Sequence, residues 1–385
     1  MKLKILSFFI IALLNGLCVS AQSIYYPSKN EWKRIEASEA GFSTNGLKKA
    51  IQFAEDNEYS GSKDLKQAIL KGFEREPFHY LAGPVKERGG PAGVVVKNGY
   101  IVASWGDVER VDMTFSVTKS YLSTVAGLAW DTGLISSLTD SVKEYVWDGT
   151  FAGRHNSQIN WEHLLTQSSD WSGELFGMKD WADRPPREGD IDDWKNRGLN
   201  TPGSVFEYND VRVNILAYSL LHVWRKPLPQ VLKERIMDPI GASPTWRWFG
   251  YENSFVLVDG LKMQSVSGGG HSGGGVFINT LDHARFGLLF LRDGKWNGAQ
   301  LISKDWIEKA TTSSKANESY GYMWWLNKGS RKWEQVDDTD IFYAAGFGGN
   351  FIVVDKQNDL VIVTRWLEPS KIGEMVGNVL ASLDR

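Results

Sequence analysis

The chain predicts an α+β fold. An antiparallel sheet is built from the two ends of the sequence and flanked by helices, with a mostly helical middle lobe. Three observations carry this. Ala92 to Val96, Lys97-Asn98-Gly99 and Tyr100 to Trp105 read as strand, Asn-Gly turn and strand, a strong hairpin signal. Phe351 to Val354, a turn at 356–359 and Leu360 to Thr364 repeat the pattern near the other end. The segments between them carry mostly helical periodicity. With 385 residues the chain can bury a large core as one elaborated domain. The expected sheet lobe covers about 22–110 and 265–385, and the helical lobe about 111–264.

The elements follow in order. Lys2 and Lys4, an apolar run from Ile5 to Leu14, and Val19-Ser20-Ala21 make residues 1–21 an expected export signal cleaved after Ala21. The protein would then be periplasmic or secreted. The apolar run is too short to span a membrane comfortably. Cys18, the single cysteine, lies in that signal behind Leu17, which is not the small residue of a lipoprotein signal. The mature chain would have no disulfide, thiol nucleophile or thiolate metal site. The formal charge of −3 argues against a nucleic-acid surface.

Leu47, Ala50, Ile51 and Phe53 give an amphipathic helix, and Tyr121 to Trp130 is apolar nearly all round, so that helix is buried. Short helices are expected after Leu134 and over Ile159 to Thr166. From Asp170 to Gly203 no period holds. Trp171, Trp181 and Trp194 stand there among acidic residues and Pro185-Pro186, which reads as a cap loop. Helices follow at Val213 to Trp224, Val231 to Met237 and Thr280 to Leu291, and a last one near Ile372 to Leu383. The glycine-rich run from Ser267 to Gly275 is a loop.

Three motifs carry chemistry. Ser116 and Lys119 are three residues apart at the start of the buried helix, so they share a face. A hydroxyl beside an amine is the minimum apparatus for an activated serine. The same spacing at Ser60 and Lys63 lies in a polar run with no core helix behind it. Spacing alone leaves a capping serine and a solvated lysine as the alternative. Tyr208 stands just ahead of a helix, where a phenol near a lysine can shuttle a proton or merely pack. Ala344 to Asn350 is a glycine-rich entry to a strand, either a plain turn or a place where a strand N–H joins that of Ser116 to form an oxyanion hole.

Together these motifs resemble the serine β-lactamase and penicillin-binding-protein superfamily, and its class C-like branch of family VIII carboxylesterases and 6-aminohexanoate-dimer hydrolases above all. Ser-Val-Thr-Lys matches S-x-x-K, Pro202 to Tyr208 matches the lead-in to Y-x-N, and Gly274 to Phe286 matches a glycine-to-helix landmark. The resemblance implies a β-lactamase/transpeptidase-like fold with Ser116 as the acylated nucleophile. Lys119 and Tyr208 would share the proton transfers, and the N–H groups of Ser116 and Asn350 would bind the oxyanion. Two departures stand out. Asp210 fills the Asn slot of Y-x-N, with Asn209 adjacent as a substitute. Phe347-Gly348-Gly349 fills the slot of Lys-Thr-Gly, so the lysine that docks a β-lactam carboxylate is missing.

The expected function is therefore an exported serine hydrolase acting on an ester or non-β-lactam amide, with a small-molecule or oligomeric substrate. Asp210, His271, Phe347, Gly348 and Trp171 are the candidate substrate contacts. No cofactor is implied. The remaining histidines lack ligand-like spacing, so no metal is assigned. Other readings are a β-lactamase or D-amino-acid peptidase, a carbohydrate eliminase using Lys119 and Tyr208, and a non-catalytic binding module. Oligomeric state is not legible.

Overall fold

The computed structural model describes residues 24–384 apart from 30, 78 and 338. The expected export signal, its cleavage after Ala21 and Cys18 lie outside the described residues.

The expected sheet is present. Its six strands run in the order Trp325–Leu326, Phe342–Gly346, Asn350–Asp355, Leu360–Arg365, Ala92–Lys97 and Tyr100–Trp105, all antiparallel. The two ends of the chain meet in the middle, where Val94 faces Val363 and Val96 faces Val361. Asn98 and Gly99 take the positive φ values, 54° and 88°, that a tight hairpin turn requires. Val94, Val95 and Val96 are all fully buried because the sheet is covered on both faces. Alternate residues feed two cores. Val94 and Val96 pack with Phe286, Leu288 and Leu289 of the helix Thr280–Leu291. Val95, Val353 and Ile362 pack with Leu47, Ala50, Met375 and Val376 of the helices Thr44–Asp56 and Ile372–Ala381.

The middle lobe holds the buried helices Thr118–Asp131 and Asp210–Trp224. It also holds an element absent from the sequence reading. Arg247–Val258 and Leu261–Val266 form a long hairpin whose first strand pairs with Gly275–Ile278, which in turn pairs with Asp112–Met113. Polar residues at Arg247, Glu252, Asn253 and Gln264 interrupt any clean alternation there. The expected cap, 170–203, folds as short pieces, including the paired strands Glu174–Leu175 and Met178–Lys179 and the helix Ile191–Lys195.

Among the described residues, no helix is long and apolar enough to cross a membrane.

Candidate active site

Ser116 lies in a single 3-10 turn, Phe115–Val117, which runs directly into the helix Thr118–Asp131. Phe115 has φ 49°, a left-handed conformation costly for a bulky residue. Its ring is buried against Phe347, at 5.0 Å, and edge-on to Trp366, at 6.4 Å, and this packing holds the strained backbone in place. The turn is anchored behind by His283. One ring nitrogen lies 2.8 Å from Thr114 Oγ1 and the other 2.8 Å from Tyr121 Oη. Burial, helped by Arg365, pushes the His283 imidazole well below its usual pKa, so it is neutral. Arg365, itself buried, donates to Asn350 Oδ1, Ile278 O and Met113 O at 2.6, 2.9 and 3.1 Å. One side chain thus ties together three segments around Ser116.

Lys119 is 1% exposed. Its Nζ donates to Ser116 Oγ at 2.9 Å and to Asp210 Oδ1 at 2.6 Å, and lies 4.6 Å from the centroid of the Tyr208 ring. Asp210 therefore takes the Y-x-N asparagine slot itself. Asn209 does not substitute for it, because its Oδ1 caps the helix at Arg212 N and its Nδ2 donates to Asp180 O. Only glycine fits above the ion pair. A Cβ on Gly269 would lie 1.6 Å from Asp210 Oδ1 and 2.3 Å from Lys119 Nζ.

A second cation completes the network. Arg184 Nη1 lies 2.7 Å from Asp210 Oδ2, as an ion pair rather than a directed hydrogen bond. The same nitrogen donates to Asp183 Oδ1 at 2.6 Å, and Nη2 donates to His271 Nδ1 at 2.9 Å. A guanidinium only donates, so His271 Nδ1 must be bare and Nε2 must carry the proton it gives to Glu76 Oε2 at 2.6 Å. Asp183 also accepts the backbone N–H of Asp210. Burial alone would raise the Asp210 carboxyl, but Lys119 and Arg184 outweigh it and hold it well below the ordinary aspartate range. Glu76, Asp183 and His271 each bring one ligand atom within 4.8 Å of the others and could hold a divalent cation. The Arg184 guanidinium, however, already supplies positive charge there.

The site opens into a cavity of about 650 Å³. Of the sequence-expected residues, Ser116, Tyr208, His271, Phe347 and Gly348 line it. Two do not. Trp171 is buried, with its indole N–H donating to Thr150 O at 3.0 Å, so it is a packing residue rather than a substrate wall. Asn350 sits opposite Gly346 within the sheet, and its side chain braces Phe347 O, at 2.7 Å, and Arg365. The strand residue that approaches Ser116 is Gly346, whose Cβ, were there one, would lie 2.2 Å from Thr114 O and 3.3 Å from Ser116 N. Sequence reasoning missed Glu76, Asp183 and Arg184. The crowding of Asp180, Asp183 and Arg184 in the cap was the available signal, but not which of them turns inward.

The beta-lactamase family profile matches residues 84–365, and the chain belongs to that family. An Escherichia coli O157:H7 protein, provisionally described as a D-alanyl-D-alanine carboxypeptidase, is 25% identical over 194 residues. That match covers 42% of this chain and 45% of that protein, so the chain spans less than half the length of its curated relative. A Bacteroides dorei structure, provisionally described as a beta-lactamase, superposes with TM-score 0.60 at 15% identity, over 89% of this chain and 100% of that one. A family VIII carboxylesterase superposes with TM-score 0.55 at 17% identity, over 83% and 96%. These likenesses establish the β-lactamase/transpeptidase fold.

Proposed function

We propose that the protein is an exported serine hydrolase that forms an acyl-enzyme at Ser116 and acts on an ester or a non-β-lactam amide. The observation that carries this is Lys119 Nζ at 2.9 Å from Ser116 Oγ, in a cavity open to substrate. Ser116 Oγ attacks the substrate carbonyl carbon. In its neutral form Lys119 accepts the Ser116 proton, and Asp210, 2.6 Å away, stabilises the ammonium that this creates. As the bond to the leaving group breaks, Tyr208, beside Lys119, relays that proton to it, and water repeats the sequence to release the acid. The oxyanion is taken by the N–H groups of Ser116 and Phe347. The latter follows Gly346 on the strand that passes closest to Ser116 and replaces Asn350 in the expected pair.

Phe347 argues against a β-lactam substrate, since it lines the cavity with an apolar ring where the resembling lactamases hold a lysine. The fold shared with a family VIII carboxylesterase supports the ester reading.

Intact mass after treatment with a fluorophosphonate probe tests the proposal. A single adduct is expected on the wild type and none on Ser116→Ala. Absence of an adduct on both would overturn the acyl-enzyme. Turnover of nitrocefin at rates matching those on simple esters would overturn the substrate class.

A further inference from the structure

The cavity has a second charged wall besides Arg184. Residues 330–335 line it, bringing Arg331 and Lys332 together with Trp333. We propose that this arm is an anion subsite, and that the substrates carry a carboxylate, remote from the scissile bond, on the group lying along Tyr208 and Trp325. The inference rests on the hydrolase reading above.

Three observations converge. First, neither Arg331 nor Lys332 has an acidic partner within 4.0 Å among the described residues, whereas Arg184 is engaged by both Asp183 and Asp210. One acid, Glu334, also lines the cavity, so this wall carries two positive charges against one negative. Second, the Arg331 guanidinium lies 4.5 Å from the centroid of Trp325. Trp325 in turn stacks on Tyr208, with centroids 5.7 Å apart and planes at 23°. A flat aromatic path therefore runs from the candidate catalytic tyrosine to a cation. A guanidinium lying on an indole keeps its in-plane N–H fork free for a carboxylate. Third, Arg331 and Tyr343 both line the cavity, and Tyr343 is pushed up to about 12 by burial while the nearby Arg331 charge acts against that rise. Trp333, Tyr343 and Phe351 offer apolar surface for an alkyl or aryl body between the two ends.

The test compares mono-p-nitrophenyl adipate, which ends in a carboxylate, with its methyl ester. The wild type should favour the free acid in kcat/KM by about five- to tenfold at low ionic strength. That ratio should fall to near one in R331A/K332A and shrink in about 0.5 M salt. Because the ratio is taken within one protein, partial loss of folded enzyme cancels. No preference in the wild type, or one that survives the double substitution, overturns the subsite.

A second measurement does not need turnover. Ser116→Ala is titrated with 4-phenylbutyrate and with 4-phenylbutanol, followed by tryptophan fluorescence. The anion should bind about five- to tenfold tighter, and the gap should vanish in S116A/R331A/K332A. Equal affinity, or no binding of either, overturns the subsite. If the fluorophosphonate adduct fails while this gap is found, the hydrolase reading falls and the anion site stands.

Discussion

Asp210 occupies a position where the motif it resembles carries a neutral amide, and the surroundings explain why a carboxylate is stable there. Lys119, with 2% of its side chain exposed, and Arg184 both press on it. With an amide there Arg184 would keep Asp183, but the buried Lys119 would lose its anionic partner. Asp210→Asn is therefore expected to cost about 3–5 kcal/mol in denaturant unfolding at neutral pH. The pH dependence follows from the depressed carboxyl. The ionised form is preferred in the folded state, so the contribution is complete above the unfolded value of about 3.9 and is lost as pH falls through the lower folded value. The gap between wild type and variant should be constant from pH 5 to 8 and close only in strong acid. A loss below about 1 kcal/mol at pH 7 would show that the pair contributes little. The residue was legible in the sequence, but its partner Arg184 was not. Nothing in the spacing of 184 and 210 sets them side by side, and only the fold of the cap does so.

At the scale of elements, the site is a junction between the 3-10 turn at Ser116 and the strand Phe342–Gly346. Gly346 has no positive φ among the glycines that need one, so its role is closeness. A Cβ there would strike Thr114 O at 2.2 Å. Gly346→Ala should push strand and turn apart and slow fluorophosphonate labelling of Ser116 by about a hundredfold, the scale of losing one oxyanion donor, while the far-UV spectrum is retained. Labelling at the wild-type rate would mean that this strand edge does not form the hole. The glycine-rich entry was readable as a place of close approach. The donor assigned from the motif, Asn350, was three residues beyond the one proposed here, because the turn at 347–349 carries the chain past the site before Asn350 enters the sheet. The cap likewise was readable as irregular. Its brace was not: Arg212 binds Asp170, Asp180 and Glu207 at 2.7, 3.1 and 2.9 Å, joining residues 170–210 to the helix that follows Tyr208.

At the scale of the molecule, stability should depend on a histidine that touches neither solvent nor substrate. His283 is 1% exposed and neutral, held between Thr114 and Tyr121. Burial lowers its pKa, so below the unfolded value of about 6.5 the unfolded chain binds a proton that the folded chain refuses. Stability then falls with pH at about 1.4 kcal/mol per unit, or about 2 kcal/mol between pH 6.5 and 5. Urea unfolding across that range should show the wild-type slope exceeding that of His283→Asn by about one proton. His163 and His222, lowered by burial in the same sense, keep a residual slope in the variant. Equal slopes in the two proteins would remove His283 from this role. The same helix, Thr280–Leu291, packs on the central strands, so protonating His283 should loosen the sheet and the Ser116 turn together.

The sequence by itself determined the hairpins at the two ends, the buried helix behind Ser116 and the Ser116–Lys119–Tyr208 set. These are written in local signals: an Asn-Gly turn, unbroken apolar runs and a three-residue spacing. It also determined that Ser60 and Lys63 would not compete, since that polar run forms no helix. Tertiary structure alone decided that Trp171 packs inward, that the polar stretch around Arg247–Val266 pairs as strands, that Arg184, Arg331 and Lys332 share one cavity with Ser116, and that Glu76 backs it through His271. Those residues come from segments far apart in the chain. Charged side chains on irregular segments carry no period, so their meeting is fixed by how the lobes close and not by any spacing the sequence displays.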